Sequence, residues 1–111
     1  VVQLTEKGNR KIKEFQFEDL KIGKPKKWDK IWRIVIFDIP EKKKMGREAL
    51  RNKLRDLGFY QLQKSVWIFP YPCQSEVEFI IEFFDLYPYT NIIETLKLQN
   101  DINARKHFNL L

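Results

Sequence analysis

The clearest pattern along the chain is a short apolar run. Trp32 is followed by Ile34-Val35-Ile36-Phe37, and Asp38 and Pro40 close the run abruptly. A run this short with three β-branched residues predicts a strand over 32–39, buried on both faces, and not an amphipathic helix. Pro40 has no N–H for a sheet ladder, so the strand stops by about Ile39. Helical spacing comes next: Ala49, Leu50, Leu54 and Leu57 recur within EKKKMGREALRNKLRDLG, and Gly58 stands where a left-handed cap ends a helix. FYQLQKSVWIFPYP then predicts two strands, 59–63 and 65–69, turning near Lys64. In the second, Val66 and Ile68 face one way and Trp67 and Phe69 the other. Pro70 and Pro72 end it.

Ser75 and Glu78 form an S-x-x-E capping box, which predicts a second helix with Val77, Ile80, Ile81 and Phe84 inward. Tyr87-Pro88 ends it. Residues 89–98 return to strand character, and Asp101 caps a short helix to about Phe108. Residues 1–30 read differently. Thr5 caps a helix from Glu6 that Gly8 weakens, Ile12 and Phe15 give it a thin apolar stripe, and KIGKPKKWDK has the lysines, glycine and proline of a linker. The expected division is 1–28, an amino-terminal helix and linker, and 29–111, the main domain.

Strand, helix, strand, strand, helix, strand is the order of an α+β, ferredoxin-like βαββαβ sandwich, here with an amino-terminal linker helix and a short carboxyl-terminal helix. Both main helices would lie on one face of the sheet. The aromatic load of Trp32, Trp67 and Phe69 suggests that the other face closes in a two-fold homodimer, together with the segment after Leu98.

Composition narrows the function. A 111-residue chain, 43% hydrophobic, makes one folded domain. The lone Cys73 excludes a disulfide framework and a cysteine metal site. No apolar run approaches the roughly 20 residues of a membrane span. The start, VVQLTEKGNR, lacks a signal-peptide core, so the expected compartment is the cytoplasm, without a membrane partner. Phosphate loops, HExxH and nucleophile elbows are absent from the sequence. The lone His107, without acidic or cysteine neighbours, is given no role.

The net charge of +6 is uneven: residues 1–72 carry 18 Lys+Arg against 9 Asp+Glu, and residues 73–111 carry 3 against 6. That asymmetry fits a face for phosphates, the alternative being a plain solubilising surface. On the first helix Lys44, Arg47, Arg51 and Arg55 follow at steps of three, four and four, forming a cationic stripe that Glu48 and Asp56 flank without interrupting. Arginine grips phosphate oxygens in a bidentate fork. Lys42, Lys43, Lys44, Arg47, Arg51 and Arg55 are therefore the candidate nucleic-acid-binding residues, with duplex DNA the expected partner. Asp38 has two readings. It caps the helix that starts at Glu41, with Glu41 completing the pattern, or it is a ligand-binding carboxylate at a strand end.

Phe37-Asp38-Ile39, the basic helix, Gly58-Phe59 and Gln63-Lys64-Ser65-Val66-Trp67 resemble the small CRISPR-associated protein two. WDKIWRIVIFDIPEKKK with LGFYQLQKSVWIFPYP is more closely similar to the central domain of PaaX-type transcriptional repressors. The resemblance spans about residues 4–111, and Leu4-Thr5-Glu6-Lys7-Gly8 resembles the tail of the winged helix that precedes that domain. It implies a dimerising, nucleic-acid-associated domain of a regulator, with no cofactor. The nuclease resemblance implies instead a Mg²⁺-dependent endoribonuclease or endodeoxyribonuclease, or a spacer-acquisition subunit. Asp38 would then be the catalytic metal ligand, shared across a dimer. Phe69-Pro70-Tyr71 departs from that family's acidic residue and glycine. A purely structural dimerisation module is the third alternative.

Overall fold

The computed structural model describes residues 16–111. The Thr5–Glu6 helix start, the stripe of Ile12 and Phe15 and the winged-helix-like residues 4–8 lie outside the described residues. The first strand, β1, runs Trp32–Phe37; it ends two residues earlier than the apolar run suggests, although the Asp38 N–H still donates to Tyr89 O at 2.9 Å. A 3₁₀ turn, Glu41–Lys43, leads into helix α1, Lys44–Asp56. Strands β2 (Tyr60–Gln63) and β3 (Val66–Phe69) form a hairpin. Helix α2 covers Gln74–Phe83, strand β4 Thr90–Thr95 and helix α3 Ile102–His107. The four strands lie in the order β2-β3-β1-β4, all neighbours antiparallel. This is the ferredoxin-like arrangement that the element order predicts.

Helix α1 ends as its sequence dictates. Gly58 adopts φ +95°, its N–H donates to Arg55 O and the Phe59 N–H reaches back to Leu54 O. These are the two bonds of a Schellman cap, and the buried Phe59 and Leu54 supply its apolar contact. The start of α2 differs from expectation. No capping box forms: Cys73, two residues earlier, holds the cap position, the Ser75 hydroxyl turns to Glu76, and Gln74 Nε2 donates to Glu78 along the helix surface.

The sheet separates two cores. Val35, Phe37, Trp67 and Phe69 point toward α1 and α2 and pack with Leu50, Leu54, Val77 and Ile80. On the other face Trp32, Ile68 and Ala104 are buried together, because α3 folds back over that end of the sheet. Two expectations change here. First, β1 is not buried on both faces throughout: Ile34 and Ile36 are only half-buried, and Arg33 is a buried charge among the apolar positions. Second, Trp32, Trp67 and Phe69 are each about 1% exposed within one chain, so their burial needs no partner copy.

Two latches hold the ends of the fold. Arg33 pairs with Asp29 through both guanidinium ends, 2.9 and 2.7 Å, and its Nη1 also donates to Ile31 O and Pro70 O. Asp101 stands at the start of α3 but caps no backbone N–H. Its Oδ2 accepts instead from Trp32 Nε1 and Arg105 Nε, at 3.1 and 2.8 Å. The Arg105 bond, with help from Trp32, holds the Asp101 carboxyl below its ordinary range; the Arg33 bond does the same for Asp29. A lowered folded-state pKa contributes stability above the unfolded value and loses it as pH falls through the folded one. Both latches are therefore intact at neutral pH. Trp28, at the end of the lysine-rich stretch, packs at a tilt against Trp32, with ring centroids 4.8 Å apart, and lies under the Arg105 guanidinium at 4.9 Å.

Asp29 is half-exposed and the buried Arg33 keeps its bonds to Ile31 O and Pro70 O without it, so Asp29→Ala should cost about 1–2 kcal/mol. Arg33→Met, of similar length and uncharged, should cost far less. Urea unfolding of both variants checks this; equal losses would show that the pair itself does not matter.

Candidate nucleic-acid interface

The candidate cations all come from the 3₁₀ turn and α1, whose inner side is fixed by Leu50 and Leu54 in the core. The structure does not leave them as one uninterrupted stripe. Lys42 and Lys44 are exposed, and Lys44 stands 4.0 Å from Glu41. Lys43 is drawn the other way, its Nζ donating to Asp85 O and Oδ2, each at 3.1 Å. Arg47 donates to Ile39 O and to Glu41 Oε2, both at 3.2 Å. Arg51 donates to Glu48 Oε1 at 2.8 Å and lies over the Phe37 ring, 5.7 Å from its centroid. Arg55 is exposed, bonded to Asn52 Oδ1 and placed over Trp67. Glu48 thus interrupts the stripe, because its position one helical turn before Arg51 and next to Arg47 lets one carboxylate meet both guanidiniums. Among the described residues the cations without a close carboxylate are at the two ends: Lys42, Lys44 with only its 4.0 Å contact to Glu41, and Arg55 on the neutral Asn52.

Between α1, the end of β1 and the β2–β3 turn lies an open depression of about 580 Å³, lined by Asp38, Glu41, Arg47, Glu48, Arg51 and Ser65 among others. Backbone pairing places it: the Phe37 N–H donates to Ser65 O at 3.1 Å, bringing the hairpin turn beside the strand end. Sequence reasoning finds Asp38, Arg47 and Arg51 but not Lys64 and Ser65, which reach the site only through that pairing. The Glu48–Arg51 spacing was the available signal for the ion pair.

Asp38 does not cap the following turn. Pro40 holds the cap position, and no side chain bonds the first N–H groups. The Asp38 side chain is exposed. Pro40 sends the chain out in extended geometry, φ −67° and ψ 158°, before the turn begins.

One chain's residues do not fit the Mg²⁺ ion that the nuclease resemblance implies. That ion requires about six oxygens in octahedral array. Asp38 offers one carboxylate, while Glu41 and Glu48 are turned to Arg47 and Arg51, whose positive charge opposes a dication. Among the described residues no three His, Cys, Asp or Glu side chains come together to hold an ion. Cys73 is no alternative nucleophile, since burial pushes its thiol up to about 12. His107 Nε2 lies 3.1 Å from Gly58 O, fastening α3 to the end of α1.

A four-stranded ferredoxin-like sheet, two helices on one face and a basic first helix define the class. The chain belongs to the family described as PaaX protein central Cas2-like domain, whose sequence model matches residues 25–106. It is a member of the PaaX-like regulator family. No curated protein and no solved structure matches the chain. Among the described residues no helix is long and apolar enough to cross a membrane.

Because Asp38 supports no cap, Asp38→Ala should change stability by less than about 0.5 kcal/mol, the range of plain surface substitutions. Thermal unfolding checks it. A loss near 1 kcal/mol or more, typical of a lost cap, would restore the capping role.

Proposed function

We propose that the chain is the dimerising, nucleic-acid-associated domain of a PaaX-like transcriptional regulator, acting on duplex DNA and therefore in the cytoplasm. The observation that carries the reading is the basic edge of α1 in a member of this family, with Lys42, Lys44 and Arg55 exposed where phosphates can reach them. The acidic residues of α2, Glu76, Glu78 and Glu82, stand on the neighbouring helix and disfavour DNA there. Dimerisation rests on the sheet. Ile34 and Ile36 are half-buried, and their register partners Val66 and Ile93 are half-buried and 43% exposed. A second copy packed over this strip would exclude water from it. The segment after Leu98 closes the far end of the same face within its own chain, so the proposed contact is the uncovered part. The reading assigns no cleavage to Asp38.

Phosphate contacts release counterions, so affinity for a DNA duplex should fall steeply with salt. Lys44→Ala and Arg55→Ala should each lower the salt slope by about one unit. Fluorescence anisotropy titrations test this, and with Mg²⁺ added the duplex should remain intact. An unchanged slope in the double variant would return α1 to solvated surface, and metal-dependent cleavage abolished by Asp38→Asn would favour the endonuclease reading.

Light scattering at micromolar concentration should give about twice the chain mass of 13.5 kDa. Ile34→Lys, at the centre of the strip, should yield a folded monomer. A monomeric unsubstituted protein would remove the dimer.

A further inference from the structure

The contact of Glu48 with two arginines has a particular asymmetry. Its Oε1 lies 2.8 Å from Arg51 Nη1 and 3.6 Å from Arg47 Nε. The guanidiniums are largely covered, with Arg47 19% and Arg51 12% exposed, whereas Glu48 is 47% and Glu41 76% exposed. The cations are held from the protein side, Arg47 by Ile39 O and Arg51 by Lys64 O and the Phe37 ring. The carboxylates are held only by the cations and are free to swing into water. The arrangement is also underfilled. Arg47 Nε is buried with no hydrogen-bond partner, and the Arg51 contacts to Lys64 O and Ser65 Oγ are long, 3.3 and 3.4 Å.

Two preorganised guanidiniums beside a hydroxyl match the several oxygens of a tetrahedral phosphate better than one carboxylate oxygen does. Taking the phosphate-contacting α1 of the preceding reading as its starting point, we propose that Arg47, Arg51 and Ser65 form a binding site for a single phosphate group. Glu48, on Arg51 and near Arg47, is the shared internal anion of the site, with Glu41 a second on Arg47, and phosphate must displace them. Lys64 lines the same depression and adds positive charge. Asp38 and Glu41 line it too and add negative charge that a bound phosphate must face. The phosphate comes from a nucleic-acid backbone or from a small phosphorylated ligand. The chemistry of recognition is the same.

The test measures inorganic phosphate and a short DNA duplex by calorimetry at physiological salt, in the unsubstituted protein, Glu48→Gln and the charge-matched Glu82→Gln. Removing the competing carboxylate should tighten inorganic phosphate on the order of fivefold, since an occupied site lowers apparent affinity by its vacant fraction. Glu82→Gln, on α2 and outside the residues that line the depression, should leave it unchanged. Adding Ser65→Ala to Glu48→Gln should reverse part of the gain. A parallel gain for the duplex identifies a backbone phosphate as the natural occupant, and a gain for phosphate alone identifies a small ligand. No tightening in Glu48→Gln, or equal tightening in Glu82→Gln, overturns the proposal. The two readings fail separately. A duplex bound with steep salt dependence but no effect of Glu48→Gln sinks the masked site alone, whereas a phosphate gain without any duplex binding sinks the DNA-associated function alone.

Discussion

Strand β1 imposes the constraint on which the rest depends. It pairs on both edges, with β3 and with β4, so its residues must alternate between two different environments and neither can be left to solvent entirely. Arg33, Val35 and Phe37 point toward α1 and α2, while Trp32, Ile34 and Ile36 point away. The first set is sealed completely by two helices. Among the described residues the second is sealed only at the Trp32 end, by α3 and Trp28. The strand end at Phe37 then sets where Asp38 stands, and the β3 register sets where Ser65 meets it.

Helix α1 shows why a cationic surface is not simply a row of free charges. Leu50 and Leu54 fix the helix rotation, and the Schellman turn at Gly58 fixes its end. With rotation and end fixed, the middle arginines face the depression and the terminal cations face water. Arginine suits the middle positions because its stem and planar head pack against Phe37 while keeping donors available. Lysine at 51 would lose the fork that spans Glu48, Lys64 O and Ser65.

The short helix α3 ties Trp28 and the carboxyl-terminal segment to the sheet. Arg105 bridges Trp28 and Asp101, and Asp101 also takes the Trp32 indole N–H. Phe17, Leu20 and Ile22 pack on the helix-side core, so the approach to β1 is part of the folded body. Trp28 thus joins the lysine-rich stretch to α3 and to the sheet face that α3 partly covers.

The sequence by itself determined the order of elements, the ferredoxin-like topology, the Gly58 helix end and the family, because apolar period, β-branching and glycine chemistry act over a few residues. It also placed Asp38 at a strand end and the basic residues on one helix. Only tertiary structure decided which aromatic residues were already covered within one chain. The same held for α2, which begins without its capping box, and for Asp38, which caps nothing. The ion pairs of Arg47 and Arg51, and the arrival of Lys64 and Ser65 beside them, likewise followed from the packing. Those outcomes depend on contacts between residues far apart in the chain, such as Trp32 with Asp101 or Phe37 with Ser65. Their free energy comes from strand register and from burial under α3, neither of which a local pattern encodes.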